Sequence, residues 1–263
     1  MRKFFSLLLT GILFLSVACN SGQKKAESAT DEKSATEEIA ADNALTTAEK
    51  EAGWILLFDG ESTEGWRGVN KAVMPGAWEV IEGTLHCQGS GKGEAGATDG
   101  GDILFDKKFK NFNLKLEWKI SEGGNSGIFY LGQEVPEWPI WKTAPEMQVL
   151  DNERHPDSFL GKDGNRQAGS LYDLIPAKPQ NTKPAGEWNS VEIICYKGTV
   201  IHKQNGETVV EYHLWTDDWN TLVADSKFPG LNENWANVAE EGFIALQDHG
   251  DDVWFKNIKI REL

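Results

Sequence analysis

The chain of 263 residues carries 41 Asp and Glu against 26 Lys and Arg, which gives a formal net charge of −15. This length suits one or two domains. Proteins that bind nucleic acid contact phosphates through clustered Lys and Arg, so the acidic balance and the lack of a basic patch predict no nucleic-acid partner.

The N-terminus has the organisation of an export signal. Arg2 and Lys3 precede an apolar run at residues 4–17, which is too short to span a bilayer comfortably. Small residues then lead to Cys19, a pattern typical of a bacterial lipoprotein, in which residues 1–18 form the signal peptide and Cys19 carries the lipid. An ordinary secretory signal, with no role for Cys19, is the alternative. The lipoprotein interpretation predicts a place in the cell envelope, with contact to the membrane through the lipid anchor only.

A polar segment separates this signal from the rest of the chain. Residues 20–52 contain no aromatic residue and are rich in Ala, Glu, Lys, Ser and Thr. Such a composition cannot bury a core, so residues 19–52 are predicted to be a disordered tether. The folded domain is then predicted to comprise residues 53–263.

Short runs of alternating polarity make up most of this domain. Residues 112–120 are the clearest example, with Leu114 and Leu116 on one face and charged side chains on the other. Turn signals such as Asn205-Gly206 separate the runs. About a dozen short strands with almost no helix predict an all-β sandwich.

Two cysteines remain in the predicted domain, and both lie in strand-like runs. Cys87 and Cys195 can form one disulfide, as in many exported proteins, or remain two buried thiols. The sequence contains no CxxC, P-loop, HExxH or GxSxG motif, and no Rossmann fingerprint that follows a strand and opens a helix. None of these motifs therefore identifies a cofactor, and a divalent cation stays open.

One strand places two polar side chains on the same face. If residues 145–150 are extended, Met147 and Val149 point one way, and Glu146 and Gln148 point the other. A carboxylate and an amide about 7 Å apart on an exposed sheet face can bind a sugar. They can equally be a solvated polar face, and the strand alone does not decide between the two.

Seven stretches of the domain, taken in order, resemble the 3-keto-disaccharide hydrolase family, which is common in exported proteins of Bacteroidetes. These stretches are Leu57-Phe58-Asp59-Gly60 with Gly65-Trp66, Asn125-Ser126-Gly127-Ile128, residues 146–152, Gly169-Ser170-Leu171-Tyr172-Asp173, Gly186-Glu187-Trp188-Asn189, His202 through Asn205-Gly206, and residues 244–250 with residues 255–260. The resemblance implies a concanavalin/laminarinase-like jelly-roll β-sandwich. It also implies a carbohydrate substrate, a glycoside whose glucose unit is oxidised to a ketone at carbon 3.

A ketone at carbon 3 makes a route by elimination available. The ketone acidifies the hydrogen on carbon 2, and the glycosidic oxygen on carbon 1 can then leave, with or without later addition of water. Such a reaction needs a base, a group that stabilises the enolate oxygen, and an acid for the leaving group. A divalent cation is one candidate for the enolate-stabilising group.

The matching motifs contain the candidates for these roles. Glu146 and His249 are predicted to be the catalytic base or metal ligands, because Glu146 lies on the polar strand face and His249 at a strand end. His155 and Asp157 are further metal-ligand candidates on the loop at residues 153–167. For each of these residues, a place in a turn or on the solvated surface is the alternative.

Six residues are predicted to bind the substrate: Asn125, Gln148 and Tyr172 through hydrogen bonds, Trp138 and Trp141 through stacking, and Lys142 through the ketone oxygen. Turn chemistry, core packing or loop anchoring are their alternatives. Two other functions stay open. One is a carbohydrate-binding module without catalysis, and the other is a conventional glycosidase, which needs a second carboxylate on the face that carries Glu146.

Overall fold

Two antiparallel β-sheets pack face to face in the computed structural model, which describes residues 40–92 and 96–263. The predicted signal peptide and Cys19 lie outside the described residues. The strands are β1 (Ile55–Leu56), β2 (Trp66–Gly68), β3 (Trp78–Ile81), β4 (Thr84–Cys87), β5 (Ile103–Phe109), β6 (Phe112–Ile120), β7 (Asn125–Gly132), β8 (Glu146–Leu150), β9 (Asn189–Tyr196), β10 (Thr199–Gln204), β11 (Glu207–His213), β12 (Gly242–Leu246) and β13 (Val253–Glu262). The prediction of an all-β jelly-roll sandwich is confirmed.

Helices are short and few in the described part of the chain. They are α1 (Thr47–Glu51), α2 (Asp217–Ala224) and three 3₁₀ turns at Ile140–Lys142, Pro156–Phe159 and Phe228–Gly230. Within residues 40–92 and 96–263, no helix is long and apolar enough to cross a bilayer.

The larger sheet has eight strands in the order β11-β10-β9-β6-β13-β4-β3, with β1 paired to β13. The smaller sheet has the order β2-β5-β12-β7-β8. The core lies between them, and the predicted alternation of β6 is confirmed, since Leu114 and Leu116 are buried in it. Cys87 and Cys195 are buried free thiols, so the disulfide alternative is wrong.

All five residues of β8 are buried, but its two faces have different surroundings. Met147 and Val149 enter the core between the sheets. Glu146 and Gln148 face the outer side of the smaller sheet, where loops enclose a cavity. The predicted division of the strand is therefore confirmed, and its polar face is covered rather than open to bulk solvent.

Residues 40–52, which the sequence assigns to a disordered tether, are ordered in the structure. A capping box between Thr46 and Glu49 begins α1, so the helix does not depend on a buried face. Asn43 donates its backbone N–H to Asn257 Oδ1 at 2.6 Å and accepts from the Asn257 backbone N–H at 2.8 Å. Glu49 also pairs with Lys259 of β13. Polar contacts with the larger sheet therefore order a segment that has no apolar core of its own.

Candidate active site

The cavity has a volume of about 880 Å³ and lies on the outer face of the smaller sheet. Strand register determines its floor. Leu246 of β12 pairs with Ile103 of β5 on one side and with Ile128 of β7 on the other. Asp102 precedes Ile103, Gln247 follows Leu246, and Gly127 precedes Ile128. These three residues face outward and lie side by side. Gly127 pairs in turn with Gln148 of β8, which completes a row across four strands.

Glu146 lies above this row and reaches over the backbone of Gly127. A Cβ atom on Gly127 would be only 2.1 Å from Glu146 Oε1, so the carboxyl occupies the space that a side chain would take. Burial raises the pKa of Glu146 to about 8, the charge of Lys227 opposes this rise, and Asp102 adds to it. No hydrogen bond from another described residue holds the carboxyl. Glu146 is therefore a strong base for a carboxylate, and its oxygens are available to a ligand.

Several buried polar atoms of the cavity have no hydrogen-bond partner among the described residues. They are Asn125 Oδ1, both amide atoms of Gln148, Gln247 Oε1 and His249 Nδ1. Each such atom costs roughly 1–3 kcal/mol when it stays unpaired, so native proteins rarely tolerate several together. A ligand that carries many hydroxyl groups supplies donors and acceptors to all of them. The cavity is therefore suited to a sugar.

Asp248 holds the segment at residues 97–101 against the end of β12, which Gln247 follows. Its carboxylate accepts from the backbone N–H groups of Ala97 at 3.0 Å, Gly101 at 2.6 Å and Gly250 at 2.9 Å. Its own N–H donates to Asp102 Oδ1 at 3.1 Å. Asp248 is thus a structural residue that determines where the neighbouring His249 lies.

His155 and His249 meet from two distant loops, and Asp251 joins them. One possible ligand atom of each residue lies within 4.8 Å of the others. Asp251 also accepts from the Asn125 backbone N–H at 3.0 Å, and burial raises its pKa. His155 Nδ1 accepts from the Asp157 backbone N–H at 3.1 Å. The structure thus brings together the two predicted histidines, and Asp251 is a third member that the sequence pattern did not indicate.

Asp157, a metal-ligand candidate in the sequence, lies in a different network, and its role as a ligand stays a prediction. Its carboxylate pairs with Arg166 at 2.8 Å and accepts from the Tyr172 hydroxyl at 2.8 Å. Arg166 also pairs with Asp173. The Tyr172 hydroxyl in turn accepts from Lys227 Nζ at 3.1 Å. Asp157 therefore helps to hold a tyrosine and a lysine at the cavity wall.

Lys227 is the only Lys or Arg among the described residues that line the cavity. Burial lowers its pKa, while Asp173 and Asp157 oppose the change. It precedes a 3₁₀ turn after α2, where no sequence motif marks it. Its ammonium group therefore brings a positive charge to the cavity wall.

Comparison with known proteins identifies the family of the chain. Residues 53–261 match the family described as the 3-keto-alpha-glucoside-1,2-lyase-like domain. The chain belongs to this family. A 3-keto-disaccharide hydrolase of Bacteroides thetaiotaomicron is 50% identical to it, over the full length of both chains.

Two solved structures of candidate glycosyl hydrolases from Parabacteroides distasonis share the fold. One is 31% identical, with a TM-score of 0.74 over 85% of this chain and 100% of its own. The other is 27% identical, with a TM-score of 0.63 over 80% of this chain and 99% of its own.

The remaining predicted residues of this family member are distributed around the cavity. Trp138 and Trp141 line it, together with Tyr172, whose hydroxyl is already engaged. Lys142 Nζ instead lies over the rings of Trp138 and Trp141, at 5.2 and 5.7 Å from their centroids, and is not a lining residue. Its contact with a ketone oxygen stays a prediction. Lys227, unlike Lys142, lines the cavity.

Proposed function

We propose that the protein cleaves glycosides whose sugar carries a ketone at carbon 3. The observation that carries the proposal is Glu146, a buried carboxyl with a raised pKa that faces a sugar-sized cavity and has no hydrogen-bond partner of its own. Family membership, and the name of the Bacteroides relative, support the keto-sugar as the substrate.

In this proposal Glu146 removes the proton from carbon 2. A base works best when its pKa lies near the working pH, and burial brings Glu146 into that range. Lys227 is placed to stabilise the negative charge that develops on the ketone oxygen. The electron pair of the broken C–H bond then forms a double bond to carbon 1, and the glycosidic oxygen leaves.

The amide side chains orient the sugar for this step. Asn125, Gln148 and Gln247 offer unpartnered atoms to its hydroxyl groups. Trp138 and Trp141 offer aromatic surface for the second unit of a disaccharide. Because the cavity is lined by groups fixed on strands, the substrate is held in one orientation relative to Glu146.

We further propose that His155, His249 and Asp251 hold a divalent cation. Two imidazoles and one carboxylate form a donor set that suits first-row transition metals, and the unpartnered His249 Nδ1 is consistent with such a ligand. His155 has to give up its hydrogen bond from Asp157 N–H to become a ligand. When bound, the cation would supply Lewis-acid stabilisation of an oxyanion.

The test compares a 3-keto-glucoside with its unoxidised parent, using the purified full-length protein. We expect cleavage of the keto-sugar alone, a loss of activity in Glu146→Gln, and exchange of the carbon-2 hydrogen with deuterated solvent in the wild type. Inactivity of the wild type on the keto-sugar would refute the proposal. The product, an unsaturated sugar or a hydrated one, distinguishes a lyase from a hydrolase.

A conventional glycosidase remains the second candidate, because the structure supplies the second carboxyl that such an enzyme needs. Asp102 lines the same cavity as Glu146. In that mechanism the unoxidised parent is the better substrate, and no exchange occurs at carbon 2. Binding of both sugars without turnover would instead favour a carbohydrate-binding module.

We also propose that the protein is attached to the cell envelope through a lipid on Cys19. The support is the signal pattern of residues 1–19. Labelling of growing cells with a radioactive fatty acid is expected to mark the wild type and not Cys19→Ala. Equal labelling of both would refute the anchor.

A further inference from the structure

Asp102 is a second carboxyl at the opposite end of the cavity floor from Glu146. Register places it two strands away from Gly127, over which the Glu146 carboxyl lies. With neighbouring strands about 4.8 Å apart, the Cα atoms of Asp102 and Gly127 are roughly 9–10 Å apart. Carboxyl pairs in inverting glycosidases, which enclose a sugar and a water, are about 6.5–9.5 Å apart. Since the Glu146 carboxyl lies over Gly127, the two carboxyls are separated on the scale of one sugar ring.

The surroundings of Asp102 favour its protonated form more than those of an ordinary aspartate. Burial raises its pKa to about 7, and the neighbouring Asp248 carboxylate adds to the rise, while the hydrogen bond from Asp248 N–H opposes it. No described Lys or Arg forms an ion pair with it. At pH 7 such a group holds a proton about half of the time, whereas an ordinary Asp does so in fewer than about one molecule in a thousand.

Glu146 and Asp102 are also not equivalent. Glu146 faces the ammonium of Lys227, next to which an enolate would form, whereas Asp102 lies beyond Gln247 on the far side of the floor. Elimination needs a base at carbon 2 and an acid at the oxygen on carbon 1, which are adjacent positions of one ring. The two carboxyls offer one group for each.

We infer that Asp102 is the acid that protonates the departing glycosidic oxygen, an inference that rests on the proposed function. Glu146 takes the proton from carbon 2, the bond between carbon 1 and oxygen breaks, and that oxygen takes the proton of Asp102. If water then adds, Asp102 takes one of its protons and Glu146 returns its proton to carbon 2. Both carboxyls are thereby restored, and no oxidant or reductant is needed.

The decisive variant is Asp102→Asn in the full-length protein. Its amide oxygen can still accept from Asp248 N–H, so the loop that carries His249 keeps its support. Two 3-keto-glucosides serve as substrates, one with 4-nitrophenol and one with methanol as leaving group. Asp99→Asn is the matched control, since Asp99 is exposed, does not line the cavity, and has a positive φ that Asn tolerates.

We expect Asp102→Asn to cleave the nitrophenyl substrate nearly as fast as the wild type, because nitrophenolate leaves without a proton. We expect a loss of about 10²–10⁴-fold on the methyl substrate. Exchange of the carbon-2 hydrogen should persist in this variant and disappear in Glu146→Gln. Equal loss on both substrates, or wild-type cleavage of the methyl substrate, would overturn the inference.

A second measurement uses only the wild type, so it does not depend on whether a variant folds. In the wild type, assistance by an acid should make the cleavage rate nearly independent of the leaving-group pKa across a series of aryl and alkyl 3-keto-glucosides. A steep dependence would show that no acid assists and would also overturn the inference. If the wild type showed neither carbon-2 exchange nor cleavage, the proposed function itself would be refuted. This outcome differs from those that overturn only the role of Asp102.

Discussion

Gly127→Ala is the most specific perturbation of the base that the structure offers. The new methyl group would lie 2.1 Å from Glu146 Oε1, whereas ordinary van der Waals contact begins at 3.4 Å. The carboxyl must therefore move by about 1.3 Å, and a displacement of about 1 Å from the reacting atom can cost roughly 10²-fold in rate. The backbone of Gly127 does not have a positive φ, so alanine introduces no strain there.

The assay is kcat on a 3-keto-glucoside, with carbon-2 exchange and the melting temperature measured alongside. We expect kcat and exchange to fall by about 10²-fold. The melting temperature should change little, because the clash is with the end of a side chain that can move. Gly230→Ala is the matched control, since a Cβ there meets nothing within 4 Å.

A double-mutant cycle shows whether the effect passes through Glu146. In the Glu146→Gln background the base is already lost, so adding Gly127→Ala should cost no further activity. Two results would refute the reasoning: full activity of Gly127→Ala, or an equal loss in both backgrounds. The second would mean that the new methyl group blocks the substrate instead of displacing the base.

Three other predictions concern the charged groups of the site. Because burial raises the pKa of Glu146 to about 8, kcat on the 4-nitrophenyl 3-keto-glucoside, whose leaving group needs no proton, should rise with pH through that value. Lys227→Met should move the midpoint upward, since the lysine charge lowers this pKa. A pH-independent kcat on this substrate would contradict the prediction. Because the pKa of Glu146 is higher in the folded state than in the unfolded state, protonation of Glu146 stabilises the folded protein. This stabilisation is fully present below about pH 4.5 and is lost as pH rises through 8. Glu146→Gln should therefore have the melting temperature of the wild type at pH 4 and a higher one at pH 8. At pH 8 its free energy of unfolding should exceed that of the wild type by up to a few kcal/mol. A chelator should lower both the activity and the melting temperature. Mn²⁺ or Zn²⁺ should restore both in the wild type but not in His249→Ala. At a metal concentration of a hundred times Kd, the bound cation should stabilise the wild type by about 2.7 kcal/mol.

Alternation within single strands was readable from the sequence. Polarity repeats with period two wherever one face of a strand packs in a core, so the order of residues along β8 is enough to assign Glu146 and Gln148 to a common face. The same reasoning placed Leu114 and Leu116 in the core. Composition was less reliable, because residues 40–52 are ordered through polar contacts that a count of apolar residues cannot detect.

The partners of Glu146 could not be read in this way. Lys142 and Lys227 look alike as isolated lysines, yet one lies over two aromatic rings and the other lines the cavity. Asp251 and Asp157 are both near a predicted histidine along the chain. Only one of them is near both histidines in space, because Arg166 holds the other.

The sequence by itself determined the export signal pattern, the β-sandwich class, the family and the polar face of β8, since each depends on residues close together in the chain. The strand order β5-β12-β7-β8 decided which side chains share the cavity floor. That order brings Asp102, Gln247 and Gly127 into one row although more than 140 positions separate the first two. Local patterns record which way a side chain points, whereas its neighbours across a sheet depend on how the whole chain is wound.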